Sequence, residues 1–352
     1  TYNRSDTASN LAAGVVTSVG AINGAGTVTS GTATAAQGAT LASISHAVVY
    51  NISDTAANIV ANVGGLNEAK DITSTDSCTF AQAKVIEDAT NSGSITFNIS
   101  DTAANIAAGI GSDAAVITAA TTVAANTYAT KAELEVIGAN TNSIVFSVKD
   151  TAANLAAATA ARILKAVNVI ATTDATVAEA TSIDTNTNEG AGGYNTYNIK
   201  DTAAAIAAKT NAFVTKAGTV EVTGTANIAQ AEIIGEFTKA VTYSISDSAG
   251  NALATGGAAY NEAVDITITG NLTVAKAEVI KEASNSGTKT YVIEDSAAEI
   301  SEAVGGTTGA TADLQTLNGA TTITANTSAT FAQAAIMAGI SKAIVYNISD
   351  EQ

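Results

Sequence analysis

Short segments in which apolar and polar residues alternate recur along the chain, and each segment ends at an aspartate. In YNISD, residues 50–54, Tyr50 and Ile52 alternate with polar neighbours, which is the period-two pattern of a strand with one buried face. Arg4 in the first copy stands where later copies carry Ile or Val. The later apolar pairs are Phe97/Ile99, Phe146/Val148, Tyr197/Ile199, Tyr243/Ile245, Tyr291/Ile293 and Tyr346/Ile348. The pattern predicts one short, half-buried strand in each copy.

The aspartate that ends each segment predicts the start of a helix. Asp is a favoured N-cap residue because its carboxylate accepts hydrogen bonds from the free N–H groups of the first turn. After Asp54, the apolar residues from Ala56 to Val63 fall on one helical stripe, and two glycines follow as a stop signal. We therefore predict helix caps at Asp6, Asp54, Asp101, Asp150, Asp201, Asp247 and Asp295. An Asn four residues after most of these aspartates predicts a ladder of side-chain hydrogen bonds between successive copies.

The second half of each copy repeats the strand–helix plan with different residues. In DITITGNLTVAKAEVI, residues 265–280, alternating Ile266 and Ile268 predict a strand, and Thr273 precedes an Ala-rich helical segment. The same capping place holds Thr79, Thr176, Asn227 and Thr330 in other copies. From Asp54 to Thr79 is 25 residues and from Thr79 to Asp101 is 22, which predicts a unit of one strand and one helix of about 24 residues.

A strand and a helix this short cannot bury their apolar faces alone, so stacking of successive units is expected. The sequence predicts an α/β repeat solenoid, with units of about 24 residues in pairs, a parallel β-sheet and short helices. The alternative is an all-β parallel solenoid. We interpret residues 1–352 as a single repeat array, with repeats starting near 2, 50, 97, 146, 197, 243 and 291 and a partial eighth repeat at 346–352.

Composition narrows the function classes. The net charge of −17 would repel a phosphate backbone, so nucleic acid is not expected as a partner. No run approaches the roughly 18 strongly apolar residues of a membrane span. A single cysteine, Cys78, excludes an intramolecular disulfide and a cysteine-based zinc cluster. The start at Thr1, without Met, indicates a processed mature chain or an excised segment.

Residues with catalytic or metal-binding chemistry are sparse. His46 is the only histidine, and no nucleophile motif accompanies it, so we predict no enzyme activity, no catalytic residues and no cofactor. The aspartates are spread one per repeat, whereas calcium needs several oxygens that converge on one point. Calcium therefore stays a weaker alternative to capping, with Asp76 and Asp184 as the candidate ligands in loops rich in Asp and Asn.

The repeated patterns Y-x-I-x-D-[TS]-A-A-N-[IL] and [TN]-Φ-A-[QEK]-A-x-Φ-Φ, where Φ is apolar, extend over essentially the whole chain. In these patterns the sequence resembles the repetitive solenoid regions of secreted bacterial surface proteins, of surface-layer, adhesin or filament type, and also phage fibre-like proteins. The resemblance implies an extracellular, cell-surface structural protein that self-assembles into a filament or surface lattice. The alternative is an adhesin or phage-fibre stalk that binds carbohydrate or a receptor through its corner loops.

Both ends of the sequence have the strand pattern of the interior copies. An uncovered strand at the end of such an array is an open edge, to which another strand can add. We expect the two ends to pair across subunits, in a head-to-tail contact of the chain with itself that propagates. The residues assigned to this contact are Tyr2, Arg4, Tyr346, Ile348 and Asp350.

Overall fold

The structure, a computed structural model, describes residues 2–186, 195–285, 287–305 and 310–349. Its strands are β1 Asn3–Asp6, β2 Thr27–Ala33, β3 Val48–Asp54, β4 Ile72–Cys78, β5 Ile95–Asp101, β6 Thr122–Ala125, β7 Ile144–Val145, β8 Val148–Asp150, β9 Val169–Ala171, β10 Asn195–Thr196, β11 Ile199–Thr202, β12 Val220–Thr223, β13 Ile245–Ser248, β14 Ile266–Leu272, β15 Lys289–Asp295, β16 Ile323–Ala325 and β17 Ile344–Val345.

Short helices separate most of these strands along the chain. They are α1 Ala8–Asn23, α2 Ala35–Ala42, α3 Ala56–Ala61, α4 Phe80–Glu87, α5 Ala103–Ser112, α6 Ala114–Ala119, α7 Lys131–Ile137, α8 Ala152–Ala156, α9 Ala160–Ile163, α10 Val177–Thr185, α11 Ala203–Ala207, α12 Asn211–Val214, α13 Ile228–Gly235, α14 Ala258–Glu262, α15 Val274–Glu282, α16 Ala297–Gly305, α17 Ala310–Gly319 and α18 Phe331–Met337, with a 3-10 helix at Val63–Gly65.

The chain divides into two compact units, one of residues 1–172 and 182–195, the other of residues 173–181 and 196–352. In the first unit, β1 to β7 form a seven-stranded sheet in chain order, and β8 pairs with β9. In the second unit, β11 pairs with β12, and β13 to β17 form a five-stranded sheet in chain order. The paired strands within both units are parallel. The protein is therefore a mixed α/β structure of parallel sheets and helices, which confirms that part of the prediction and excludes the all-β alternative.

The core lies on the face of the sheets that the alternating pattern predicts. The aromatic and aliphatic positions of the aspartate-ended strands are at most 2% exposed in six copies: Tyr50/Ile52, Phe97/Ile99, Phe146/Val148, Tyr197/Ile199, Tyr243/Ile245 and Tyr291/Ile293. Their register places like beside like, since Ile52 pairs with Ile72 and Ile72 pairs with Ile95. The predicted burial is confirmed for these copies, and each neighbouring strand extends the same apolar ladder. A strand runs through both positions in the copies of Tyr50, Phe97 and Tyr291, whereas Phe146, Tyr197 and Tyr243 lie just outside the strands.

Two kinds of strand–helix unit alternate along the chain, and we name them by the residue at the helix start. An Asp coil is a strand that ends at the repeated aspartate together with the helical segment after it. A Thr coil is the second-half strand with its helix, which begins after Thr or Asn. The predicted caps of the Thr coils are confirmed: the side chain of Thr79, for example, accepts from the backbone N–H of Gln82, whose side chain accepts from the backbone N–H of Thr79.

Most Asp coils contain a second short helical segment that the sequence pattern does not predict. In the coil of Tyr50 this segment is the 3-10 helix at Val63–Gly65, and the buried tyrosine hydroxyl donates to the carbonyl oxygen of Gly65 at 2.8 Å. Tyr243 and Tyr291 make the same contact with carbonyls of α14 and α17, both at 2.9 Å. The repeated aromatic residue thus fills the core and also satisfies a backbone acceptor near a helix end.

Candidate functional site at the coil junctions

The repeated aspartate is the last residue of its strand in five of the described copies, and one more strand residue follows it at Asp201 and Asp247. In the Asp coils with an adjoining helix, the residue after the aspartate is the helix cap. Thr55 has extended dihedral angles of φ −67° and ψ 151°, and its side chain accepts from the backbone N–H of Asn58. The caps in the other Asp coils with an adjoining helix are Thr7, Thr102, Thr151, Thr202 and Ser296. The predicted caps at Asp6, Asp54, Asp101, Asp150, Asp201 and Asp295 are therefore wrong by one residue, because each carboxylate has other hydrogen-bond partners.

The coil after Asp247 departs further from the prediction. No helix begins after Ser248; residues 249–251 form a turn, and the next helix is α14 at Ala258–Glu262. Gly250, Gly256 and Gly257 lie in this segment, and glycine is the residue that most weakens a short helix after proline. The cap predicted at Asp247 is therefore wrong, although its carboxylate keeps the same partners as the other copies.

Each repeated aspartate from Asp54 to Asp295 joins its own coil to the Thr coil before it. In Asp101, one carboxylate oxygen accepts from the backbone N–H of Thr102 at 2.7 Å and from the side-chain amide of Asn105 at 2.9 Å. The other oxygen accepts from the backbone N–H of Phe80, the first residue of α4, at 2.9 Å. The same link between coils is made by Ala35 to Asp54, Lys131 to Asp150, Val177 to Asp201, Ile228 to Asp247 and Val274 to Asp295. One carboxylate thus satisfies otherwise free N–H groups at two helix starts.

The Asn four residues after the aspartate acts within its own coil. Its side-chain amide donates to the aspartate at 2.8 or 2.9 Å in the pairs Asn10–Asp6, Asn58–Asp54, Asn105–Asp101, Asn154–Asp150 and Asn251–Asp247. The predicted Asn ladder between coils is therefore wrong. The aspartate, and not the Asn, makes the contact between coils.

Asp76, a calcium candidate in the sequence, joins its Thr coil to the Asp coil before it. Its carboxylate accepts from the backbone N–H of Ala56, the first residue of α3, at 2.7 Å and from the hydroxyl of Ser74 at 3.2 Å. In two other coils a threonine hydroxyl replaces it: Thr127 accepts from Ala103, and Thr327 from Ala297, both at 2.9 Å. Because a neutral hydroxyl occupies the same position in two other coils, the structure gives Asp76 the role of a hydrogen-bond acceptor for a helix start.

Asp184, the second calcium candidate, lies in α10. Within the described ranges, no group of three or more His, Cys, Asp or Glu side chains is arranged to hold a metal ion. His46 lines a cleft of about 290 Å³ together with Tyr50 and Glu68, and the thiol of Cys78 is buried.

The electrostatics of the junction favour the charged aspartate. Burial of Asp101 disfavours the carboxylate, but the hydrogen bonds from Asn105, Phe80 and Thr102 outweigh burial and hold its pKa below the usual value of 3.8. The pKa values of Asp54, Asp150 and Asp247 are lowered against burial in the same way. These carboxylates are therefore ionised at neutral pH, when their hydrogen bonds are strongest.

The residues assigned to assembly lie on or next to β1 and just after β17. Tyr2 is 52% exposed, and Arg4 on β1 is half-buried with its guanidinium 3.8 Å from the Asp6 carboxylate. Ile348 is 49% exposed and bridges to Ala329, while Tyr346 is partly exposed. Asp350 lies outside the described residues.

Comparison of the chain with protein families, curated proteins and solved structures finds no match. In the part of the chain that the structure describes, no helix is both long and apolar enough to cross a bilayer.

Proposed function

We propose that this chain is an extracellular structural protein of the cell surface, without enzymatic activity. Its alternating coils form one repeat solenoid over residues 1–352, and the solenoid assembles head to tail into a filament or surface lattice. The coarse fold supports the proposal, because strands within each unit pair in chain order and the same junction hydrogen bonds recur from coil to coil. Repetition of one interface is what allows a further copy to add at an end.

The observation that carries this proposal is the exposure of Ile348, which follows the last described strand, β17, and bridges to Ala329. Ile348 is 49% exposed, whereas Ile199 and Ile293 at the same repeat position are 1% and 0% exposed. A flat edge with unpaired backbone groups and an apolar side chain is a template for another strand. A second copy that pairs at this end of the sheet, beside this segment or in its place, would restore the burial found in the interior coils.

Arg4 makes the edge strand β1 a weaker surface for pairing with another strand, but it leaves that edge open to pairing. An inward-pointing charge on an edge strand is a device that natural sheets use against uncontrolled pairing. Here Arg4 on β1 pairs in register with Val28 on β2. The other copies carry Ile or Val at the position of Arg4. Assembly through this edge must keep the guanidinium near Asp6 or in water, which makes the contact weaker than an interior one.

Sedimentation velocity of the purified 352-residue chain over a concentration series tests the proposal. We expect wild type to form a ladder of oligomers as concentration rises, and Arg4→Ile to form the same oligomers at lower concentration because it removes a charge from the contact. Wild type and Arg4→Ile that both stay monomeric at the highest soluble concentration would overturn the proposal.

A cleft on the first unit favours the adhesin alternative as a second candidate. It encloses about 310 Å³ and is lined in part by Tyr128, Val145 and Val167, which are 50%, 56% and 44% exposed. The ammonium of Lys149 lies 5.8 Å from the centre of the Tyr128 ring. An exposed aromatic face beside polar groups suits a sugar ring. Glycan binding by wild type that is lost in Tyr128→Ala, with the chain monomeric, would favour this role over assembly.

A further inference from the structure

Phe331, the first residue of α18, is the most exposed large side chain of the Thr coils. It is 65% exposed, whereas the same helix position is 2% exposed in Ile228 and 8% exposed in Val274. Ile228 and Val274 begin α13 and α15, which pack against α14 and α17 of the coils that follow them in the chain. The outer face of α18 is therefore exposed at a position that is buried in α13 and α15.

The structure shows what covers a phenylalanine at this position. Phe80, the first residue of α4, packs against Gly109 of α5 so closely that a Cβ atom at Gly109 would lie 2.4 Å from the Phe80 ring. A Cβ atom at Gly109 would force the Phe80 ring to move, so glycine is the residue that fits beneath a phenylalanine in this position. Gly109 is the eighth residue after Asp101. The same offset after Asp295 gives Ala303, and the Thr-coil helix before Asp295 begins with Val274, which is smaller than phenylalanine.

The first helix of the chain carries the glycine that Phe331 needs. The eighth residue after Asp6 is Gly14, in α1. Among the side chains that the structure describes, a Cβ atom at Gly14 would have only that of Ile22 nearby, at 3.6 Å, so packing among these residues does not require glycine there. Resting on the proposed head-to-tail assembly, we propose that α1 of a second copy covers α18, with Gly14 beneath Phe331 as Gly109 lies beneath Phe80.

This packing also fixes how the strands meet. Neighbouring strands lie about 4.8 Å apart, whereas packed helices lie about 8–10 Å apart. Two strands therefore span the width of one helix, so helices of the same kind of coil can stack only when a coil of the other kind lies between them. The two kinds of coil must therefore alternate. β1 and Tyr346–Ser349 both belong to Asp coils, so placing one beside the other would break the alternation. β1 of the second copy must instead take the place of Tyr346–Ser349 next to the Thr coil of β16.

The sequence and contacts of Tyr346–Ser349 suit such an exchange. The segment reads Tyr-Asn-Ile-Ser where residues 2–5 read Tyr-Asn-Arg-Ser, so the two segments present the same backbone and the same aromatic residue. Two backbone hydrogen bonds hold it to Ala329, of 2.8 Å from Ala329 N–H to Asn347 and 3.0 Å from Ser349 N–H to Ala329. After the exchange, Asp6 of the second copy would accept from the N–H of Phe331, as Asp101 accepts from Phe80.

Gly14→Leu tests the contact with the whole chain, with Gly20→Leu on the same helix as the matched control. Among the described residues, a Cβ at Gly20 meets nothing within 4 Å, and leucine is a better helix former than glycine, so both variants should fold and melt at or above the temperature of wild type. We expect Gly14→Leu and Phe331→Ala to raise the concentration of half-assembly about tenfold or more, from the lost burial of one aromatic side chain. Gly20→Leu should assemble like wild type.

Deletion of residues 346–352 separates exchange from simple edge addition. Exchange predicts that the shortened chain assembles at lower concentration than wild type, since the competing segment is gone; edge addition predicts that assembly is lost. Gly14→Leu that assembles like wild type, or a deletion that abolishes assembly, would overturn this inference and leave head-to-tail assembly standing. A wild-type chain that never assembles would overturn both.

Discussion

Replacing Asp101 by Ala removes the acceptor of three hydrogen bonds at once. Two of the donors are backbone N–H groups, of Phe80 and Thr102, and the third is the side chain of Asn105. Hydrogen bonds to a charged group contribute about 1.5–3 kcal/mol each, but exposed donors such as Asn105 regain water in the variant. Since Asp101 is itself only 6% exposed, we expect the free energy of unfolding to fall by about 2–4 kcal/mol.

Asp6→Ala is the matched control for this experiment. Asp6 accepts from Thr7 and Asn10 within its own coil and, among the described residues, from no preceding helix. Urea unfolding followed by far-ultraviolet circular dichroism gives both free energies, and the slope of each transition checks that the same surface unfolds. Equal losses for Asp6→Ala and Asp101→Ala would refute the role of the aspartate as a link between coils.

Three further predictions follow from the same contacts. Because the pKa values of Asp54, Asp101, Asp150 and Asp247 are lowered on folding, the stabilisation from these carboxylates is complete above the ordinary value of 3.8 and is lost as pH falls through the lower folded values; the urea midpoint should therefore be constant above about pH 5 and fall below about pH 4, less steeply in Asp101→Asn. Tyr50→Phe, which removes the hydrogen bond to Gly65, should cost about 1 kcal/mol in urea unfolding; no measurable loss would show that this bond does not stabilise the coil. Ile199→Asp should lower the melting temperature far more than Arg4→Asp, since only Ile199 is 1% exposed; equal shifts would contradict the assignment of strand faces.

The strand faces and the Thr-coil caps could be predicted because their signals are local. Alternation over five residues fixes which side chains face one way, as the burial of Tyr50 and Ile52 confirms. A capping box such as Thr79 with Gln82 lies within one helical turn. Both signals survive in a single sequence, since the residues that make the contact are neighbours in the chain.

The cap of the Asp coils could not be assigned because the deciding contact is distant. Asp101 and Thr102 are both good capping residues, so the local sequence does not choose between them. The choice is made by the N–H of Phe80, 21 residues earlier, which binds the Asp101 carboxylate and leaves Thr102 to cap the helix. Short segments such as α9, with four residues, were also missed, because they are too brief to show helical periodicity.

The central claim, that matching ends let the chain assemble with itself, is tested most directly by negative-stain electron microscopy of the purified 352-residue chain across a concentration series. The account predicts unbranched filaments or ordered sheets of uniform thickness that lengthen with concentration and are lost in Gly14→Leu. Isolated particles at every concentration, with wild type and Gly14→Leu indistinguishable, would contradict it.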